Sequence, residues 1–186
     1  MARHSIDIHK ALIDRCRNGE RKAQYELYRL YSGAMYNVSL RIVNHVGEAE
    51  DILQESFLHA FRKLHELRAD VTFGTWLKKI VVNRSITALS KRRLKLVEDI
   101  PDTETVPPAT ADDEDYMLEV KRVHEAIHQL PDGYRIVLSL YLLEGYDHAE
   151  IAQVLNITES TSKSQYNRAK ERLRNILTRR NYVGQD

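Results

Sequence analysis

The sequence predicts an all-α fold in which a flexible acidic linker joins two small helical domains, and the C-terminal domain is a helix-turn-helix. Hydrophobic residues make up 42% of the 186 residues, which is enough to form a core. Apolar positions recur at helical spacing through long stretches, and the chain has only four prolines and seven glycines. Between these stretches, residues 97–115 are acidic, rich in Pro and Thr, and almost without large apolar side chains, as is typical of a linker.

The distribution of charged residues along the chain follows the same division. The first 96 residues carry 18 Lys and Arg against 10 Asp and Glu, whereas residues 97–120 carry nine acidic residues and no basic one. We therefore predict one domain at 1–96 and a second at 116–186, with the linker at 97–115. Basic segments on both sides of an acidic one favour a polyanionic partner.

Several features of the sequence indicate the cell compartment of the protein. The single cysteine, Cys16, excludes an internal disulfide and is typical of a reducing compartment. The N-terminus lacks the apolar stretch of a signal peptide, and no apolar run approaches the roughly eighteen residues of a membrane span. The sequence thus predicts a cytoplasmic protein with no membrane span.

Helical spacing predicts four helices in each domain. The second helix sets Tyr25 and Leu30, among other apolar residues, at helical spacing. In the first domain the first predicted helix ends at Asn18. The other three run from Arg21 to about Asn44, from Glu48 to Leu67, and from Gly74 to about Leu96. In the second they run from Tyr116 to Leu130, from Tyr134 to Leu143, from Asp147 to Leu155, and from Thr158 to about Arg179.

The segment 147–158 (DHAEIAQVLNIT) has the sequence logic of a helix-turn-helix. Asp147 and Glu150 stand at capping-box spacing, and Asn156 can take the left-handed conformation of a sharp turn. Ser162 is predicted on the inner face of the helix that follows. Polar side chains suited to base edges and phosphates are predicted on its outer face, namely Thr161, Lys163, Ser164, Asn167 and Arg168. This motif alone also fits a regulator that binds duplex DNA unaided.

A competing motif is His124-Glu125-Ala126-Ile127-His128, which matches the H-E-x-x-H pattern of zinc hydrolases. A catalytic zinc needs a third ligand, for which Glu144 and Glu150 are the candidates. The chain has no G-x-S-x-G elbow, Walker loop or G-x-G-x-x-G motif. We therefore expect a protein that is not an enzyme and uses neither a cofactor nor a metal.

Three blocks in order give a family resemblance. Residues 49–57 (AEDILQESF) resemble the polymerase-binding helix of bacterial RNA polymerase sigma factors, and 73–93 resemble the adjoining promoter-melting region. Residues 130–173 are similar to the domain that reads the −35 element. The short length and the acidic linker resemble the extracytoplasmic-function (ECF) class. The resemblance implies that Asp51, Gln54 and Glu55 bind core RNA polymerase.

The resemblance also implies two DNA-binding regions. The loop at 67–72 would capture a base flipped from the −10 element; its residues are Leu67, Arg68, Ala69, Asp70, Val71 and Thr72. Phosphates near the melted strand would be held by Asn83, Arg84, Lys91, Arg92 and Arg93. The −35 element would be contacted by His148, Ser160, Thr161, Lys163, Ser164, Asn167 and Arg168.

The implied partners are core RNA polymerase, promoter DNA and an anti-sigma factor. One departure from the family pattern stands out in the recognition helix. Where the family usually carries an apolar residue after the threonine, this chain has Ser162.

Overall fold

A computed structural model describes residues 2–68, 71–96 and 114–182, and every regular element within these ranges is helical. The predicted all-α fold is therefore confirmed. The helices are α1 (Ala2–Arg17), α2 (Arg21–Val43), α3 (Val46–Arg62), α4 (Phe73–Leu96), α5 (Glu114–His128), α6 (Asp132–Leu142), α7 (His148–Leu155) and α8 (Glu159–Tyr182), with a short 3-10 helix at Leu64–Glu66. The chain divides into an N-terminal unit (Met1–Pro101) and a C-terminal unit (Asp102–Asp186). Most of the predicted linker, 97–113, lies outside the described residues, so its boundaries stay a prediction.

In the N-terminal unit, α2, α3 and α4 pack against one another and α1 packs on α2. The buried stripe of α2 follows helical spacing, as expected for a helix with one face in a core. It includes Ala23, Leu27, Met35, Val38 and Ile42, with the half-buried Tyr31 between Leu27 and Met35. Tyr25 and Leu30, which the sequence also sets at helical spacing, are 64% and 58% exposed and lie outside this stripe. Tyr25 lies two residues from Ala23 and therefore on the opposite side of the helix.

Cys16 of α1 is part of this core. Its side chain is 3% exposed, and burial raises the pKa of the thiol to about 11. The thiol is therefore protonated at neutral pH and packs as a small apolar residue.

The third predicted helix, Glu48 to Leu67, is interrupted in the structure. It begins earlier, at Val46, because the imidazole of His45 accepts a hydrogen bond of 3.2 Å from the backbone N–H of Glu48. It ends at Arg62, before the 3-10 turn. Arg17 of α1 donates to the carbonyl oxygens of Leu64 (3.4 Å) and Leu67 (3.1 Å), which ties this turn to α1.

The C-terminal unit packs α5, α6 and α7 around α8. Its central cluster consists of Ile127, Leu130, Leu138 and Ala169. Arg135 of α6 is only 1% exposed, and its guanidinium donates to the carbonyl oxygen of Leu130 (3.1 Å) and to the Asp132 carboxylate (2.6 Å). A buried charge needs such partners, and these two fix the turn between α5 and α6.

Candidate nucleic-acid interface

The first helix of the predicted helix-turn-helix, α7, is closed at both ends by local hydrogen bonds. The Asp147 carboxylate accepts from the backbone N–H of Glu150 (2.8 Å), and the Glu150 carboxylate accepts from that of Asp147 (3.0 Å). At the other end Asn156 is left-handed, with φ 53° and ψ 49°. The predicted capping box and the predicted turn are confirmed.

The second helix, α8, presents a polar outer face. Thr158 caps it, because its Oγ1 accepts a 3.0 Å bond from the backbone N–H of Thr161. Five of the predicted contact residues on this helix are exposed, namely Ser160, Lys163, Ser164, Asn167 and Arg168. Thr161 is half-buried, and its hydroxyl lies 2.7 Å from that of Thr158, so it serves the cap as well as the surface.

His148, the first residue of α7, is held by side chains from α6 and α8. Its Nδ1 lies 2.9 Å from the hydroxyl of Ser162, which is fully buried. Its ring stacks on Tyr141 with centroids 4.5 Å apart and meets Tyr166 edge-on at 5.6 Å. Sequence spacing placed Ser162 on the inner face correctly but gave no sign of this hydrogen bond.

In the N-terminal unit the predicted polymerase-binding and DNA-binding residues face one another across a groove of about 670 Å³. Acidic residues from α3 line one wall, and basic residues from α4 line the other. Arg84 pairs with Glu55 at 2.7 Å, and Arg92 pairs with Glu48 at 3.2 Å. The other predicted residues in its lining are Asp51, Asn83 and Lys91. Sequence reasoning treated these as two separate surfaces.

The exposed side of α3 offers a surface for a protein partner. Asp51, Gln54 and Glu55 are all exposed, and the Glu55 side chain keeps 65% of its accessible area despite its ion pair. Leu58, one turn further along, is 57% exposed. Leu58 lies off the apolar face that the sequence predicts for this helix, and the sequence analysis assigned it no role.

The loop before α4 is anchored at both ends. Leu67 is only 7% exposed, so its side chain belongs to the core, whereas Arg68 and Thr72 are exposed and Val71 is half-buried. The Thr72 hydroxyl accepts from the backbone N–H of Thr75 at 3.3 Å, which caps α4. Of the other predicted contacts, Ala69 and Asp70 lie outside the described residues, as does the side chain of Arg93.

The zinc motif gains no third ligand in the described part of the chain. His124 is exposed and His128 half-buried, and no group of three His, Cys, Asp or Glu side chains there is arranged to hold a metal ion. The described ranges also contain no helix that is both long and apolar enough to cross a membrane.

Comparison with known proteins identifies the family. The family models Sigma-70 region 2 and Sigma-70 region 4 match residues 27–95 and 121–173. The ECF RNA polymerase sigma-E factor of Haemophilus influenzae is 30% identical over 90% of this chain and 94% of its own length. The chain belongs to the ECF RNA polymerase sigma factors. The sigma factor SigW of Bacillus subtilis is 28% identical over 90% of the chain and 96% of its own length.

Solved structures agree with this sigma-factor fold. The sigma factor RpoE of Bartonella quintana, solved with the anti-sigma factor NepR, has a TM-score of 0.61 at 20% identity. The match covers 83% of this chain and 96% of that one. CnrH, solved with the cytosolic domain of CnrY, has a TM-score of 0.55 at 21% identity over 91% of this chain and 97% of that one.

Proposed function

We propose that this sigma factor binds core RNA polymerase through the exposed face of α3 and directs it to promoters with a −10 and a −35 element. The observation that carries the proposal is that each of the two family matches contains an exposed polar helix face. The acidic face of α3 lies within the region 2 match, and the polar face of α8 lies within the region 4 match. The protein then acts by binding, in the cytoplasm, where polymerase and promoter DNA are found.

Polymerase contacts Asp51, Gln54 and Glu55, with Leu58 adding apolar area beside them. An exposed leucine next to polar side chains suits the centre of a protein interface, which excludes water from the polar contacts around it. Asp51 and Glu55 lie one helical turn apart, so both carboxylates reach the same partner.

DNA is held by the opposite wall of the groove, through Asn83, Arg84, Lys91 and Arg92. Arg93, the next residue in the sequence, is a further predicted phosphate contact. In the free chain Arg84 and Arg92 neutralise Glu55 and Glu48. Partly exposed ion pairs of this kind contribute only about 0–1 kcal/mol, so exchanging a carboxylate for a phosphate costs little. The loop 67–72 captures the flipped −10 base. Leu67 anchors it, Arg68 and Thr72 are exposed, and Ala69, Asp70 and Val71 are the other predicted contacts.

The −35 element is read by α8 in the major groove. Ser160, Thr161, Ser164 and Asn167 offer hydroxyls and an amide to base edges, while Lys163 and Arg168 bind phosphates. His148 lies at the start of the first helix, which crosses the DNA backbone in this motif.

We also propose an anti-sigma factor as a partner. The RpoE structure that this chain resembles holds an anti-sigma factor. The exposed faces of α3 and α8 are the surfaces that such a partner must cover to block both polymerase and promoter.

Arg168→Ala tests the −35 interface. Loss of one phosphate contact should weaken promoter binding by the holoenzyme about tenfold. It should also flatten the slope of log affinity against log salt by about 0.9. The measurement is a titration of a transcribed promoter fragment at several salt concentrations.

Arg122→Ala is the matched control, because Arg122 is an exposed arginine of α5 in the same unit. It should change neither the affinity nor the slope. An unchanged slope in Arg168→Ala removes Arg168 from the interface. The alternative, a regulator that needs no polymerase, predicts instead that the chain alone protects a palindromic site.

A further inference from the structure

Ser162 carries a buried hydroxyl in the first turn of α8, where Glu159 and Ser160 are exposed and Thr161 is half-buried. Its relative exposure is 0%, and its Oγ lies 2.9 Å from Nδ1 of His148. Burying a hydroxyl costs free energy unless it is hydrogen-bonded, so this contact accounts for a polar residue at an inward position.

The imidazole of His148 is constrained on its other sides as well. Tyr141 of α6 stacks on it at 4.5 Å with an interplanar angle of 19°, and Tyr166 of α8 meets it edge-on. Tyr166 is itself covered by Lys170, whose Nζ lies 4.5 Å from the ring centroid. Helices on two sides therefore fix the plane of the His148 ring.

The direction of this hydrogen bond and the tautomer of the neutral imidazole are coupled. When the Ser162 hydroxyl donates to Nδ1, the neutral imidazole must carry its proton on Nε2. Nε2–H is a donor, whereas the other tautomer presents a lone pair that repels a phosphate oxygen. A Ser162 hydroxyl that donates to Nδ1 is therefore paired with an Nε2–H that can donate to an external acceptor.

We propose that Ser162 is a positioning residue for −35 binding: it holds Nδ1 of His148, so that Nε2–H donates to a backbone phosphate oxygen. This inference rests on the proposed function of the helix-turn-helix. Ser162 itself touches no DNA, which distinguishes it from the exposed residues of α8.

The first test is a double-mutant cycle on the holoenzyme, with a genomic promoter fragment that it transcribes. Ser162→Ala and His148→Ala should each weaken binding about three- to tenfold, the range of one hydrogen bond. The double variant should be no weaker than His148→Ala alone, because Ser162 acts only through the imidazole. If the loss from Ser162→Ala persists in the His148→Ala background, or is absent in the wild-type background, the proposal is overturned.

Ser139→Ala is the matched control. Ser139 is 1% exposed in the same unit, and its hydroxyl has no hydrogen-bond partner among the described residues. The Ser139→Ala variant should bind the promoter with the affinity of the wild type. If Arg168→Ala also has no effect on binding, the −35 assignment itself fails; if only the Ser162 cycle fails, that assignment stands.

The second test needs no DNA and would not respond to a merely structural role. Long-range ¹H–¹⁵N spectra of the full chain, taken where the imidazole is neutral, report the tautomer of His148. We expect Nε2–H in the wild type and a mixture of tautomers in Ser162→Ala. An Nδ1–H tautomer in the wild type, or the same tautomer in both proteins, contradicts the proposal.

Discussion

Replacing Gln54 and Glu55 together by alanine should lower the affinity for core RNA polymerase by about thirtyfold or more and leave the N-terminal unit folded. Both residues are exposed on α3, and the Glu55 side chain is 65% accessible, so truncation removes contacts with a partner and none with the core. Among the residues that the structure describes, it breaks only the pair of Glu55 with Arg84, which contributes at most about 1 kcal/mol. Binding to immobilised core enzyme measures the affinity, and thermal unfolding checks the fold.

Glu26→Ala is the charge-matched control for this pair. Glu26 lies on α2, its side chain is 60% exposed, and it has one long ion pair of 3.9 Å with Arg15. It should bind polymerase like the wild type. An unchanged affinity in the double variant, or an equal loss in Glu26→Ala, shows that the exposed face of α3 is not the docking surface.

Arg135→Ala should lower the free energy of unfolding of the C-terminal unit by about 3 kcal/mol. The guanidinium is nearly inaccessible, and removing it leaves the Leu130 carbonyl and the Asp132 carboxylate without this donor. The truncation also opens a cavity beside the core that carries α8. Native-state hydrogen exchange of the α6 amides measures the unit separately from the rest of the chain.

Arg122→Ala provides the comparison for this stability change as well. Because Arg122 is exposed, its loss should alter the free energy of unfolding by no more than about 0.5 kcal/mol. If Arg135→Ala is equally mild, then Arg135 does not fix the turn between α5 and α6.

The features that the sequence predicts correctly are those formed by a few neighbouring residues. Asp147 and Glu150 lie three residues apart, and their hydrogen bonds close within the first turn of α7. Asn156 takes a backbone conformation that few other residues tolerate, so its position in the sequence predicts the turn. The helix-turn-helix follows from such local chemistry.

Contacts between residues distant in the sequence could not be predicted from local patterns. Arg17 reaches the carbonyl of Leu67 from 50 residues away, and periodicity alone continued α3 through the 3-10 turn that this contact stabilises. The Arg84–Glu55 pair likewise spans 29 residues. Its members were predicted for different surfaces, and only the packing of α3 on α4 brings them into one groove.

Run-off transcription with purified core RNA polymerase and genomic promoter fragments tests the central claim most directly. We expect the chain to direct specific initiation from a subset of fragments. We also expect the Gln54→Ala plus Glu55→Ala variant and Arg168→Ala to reduce it. Tight binding to core enzyme without any specific transcript would contradict the account.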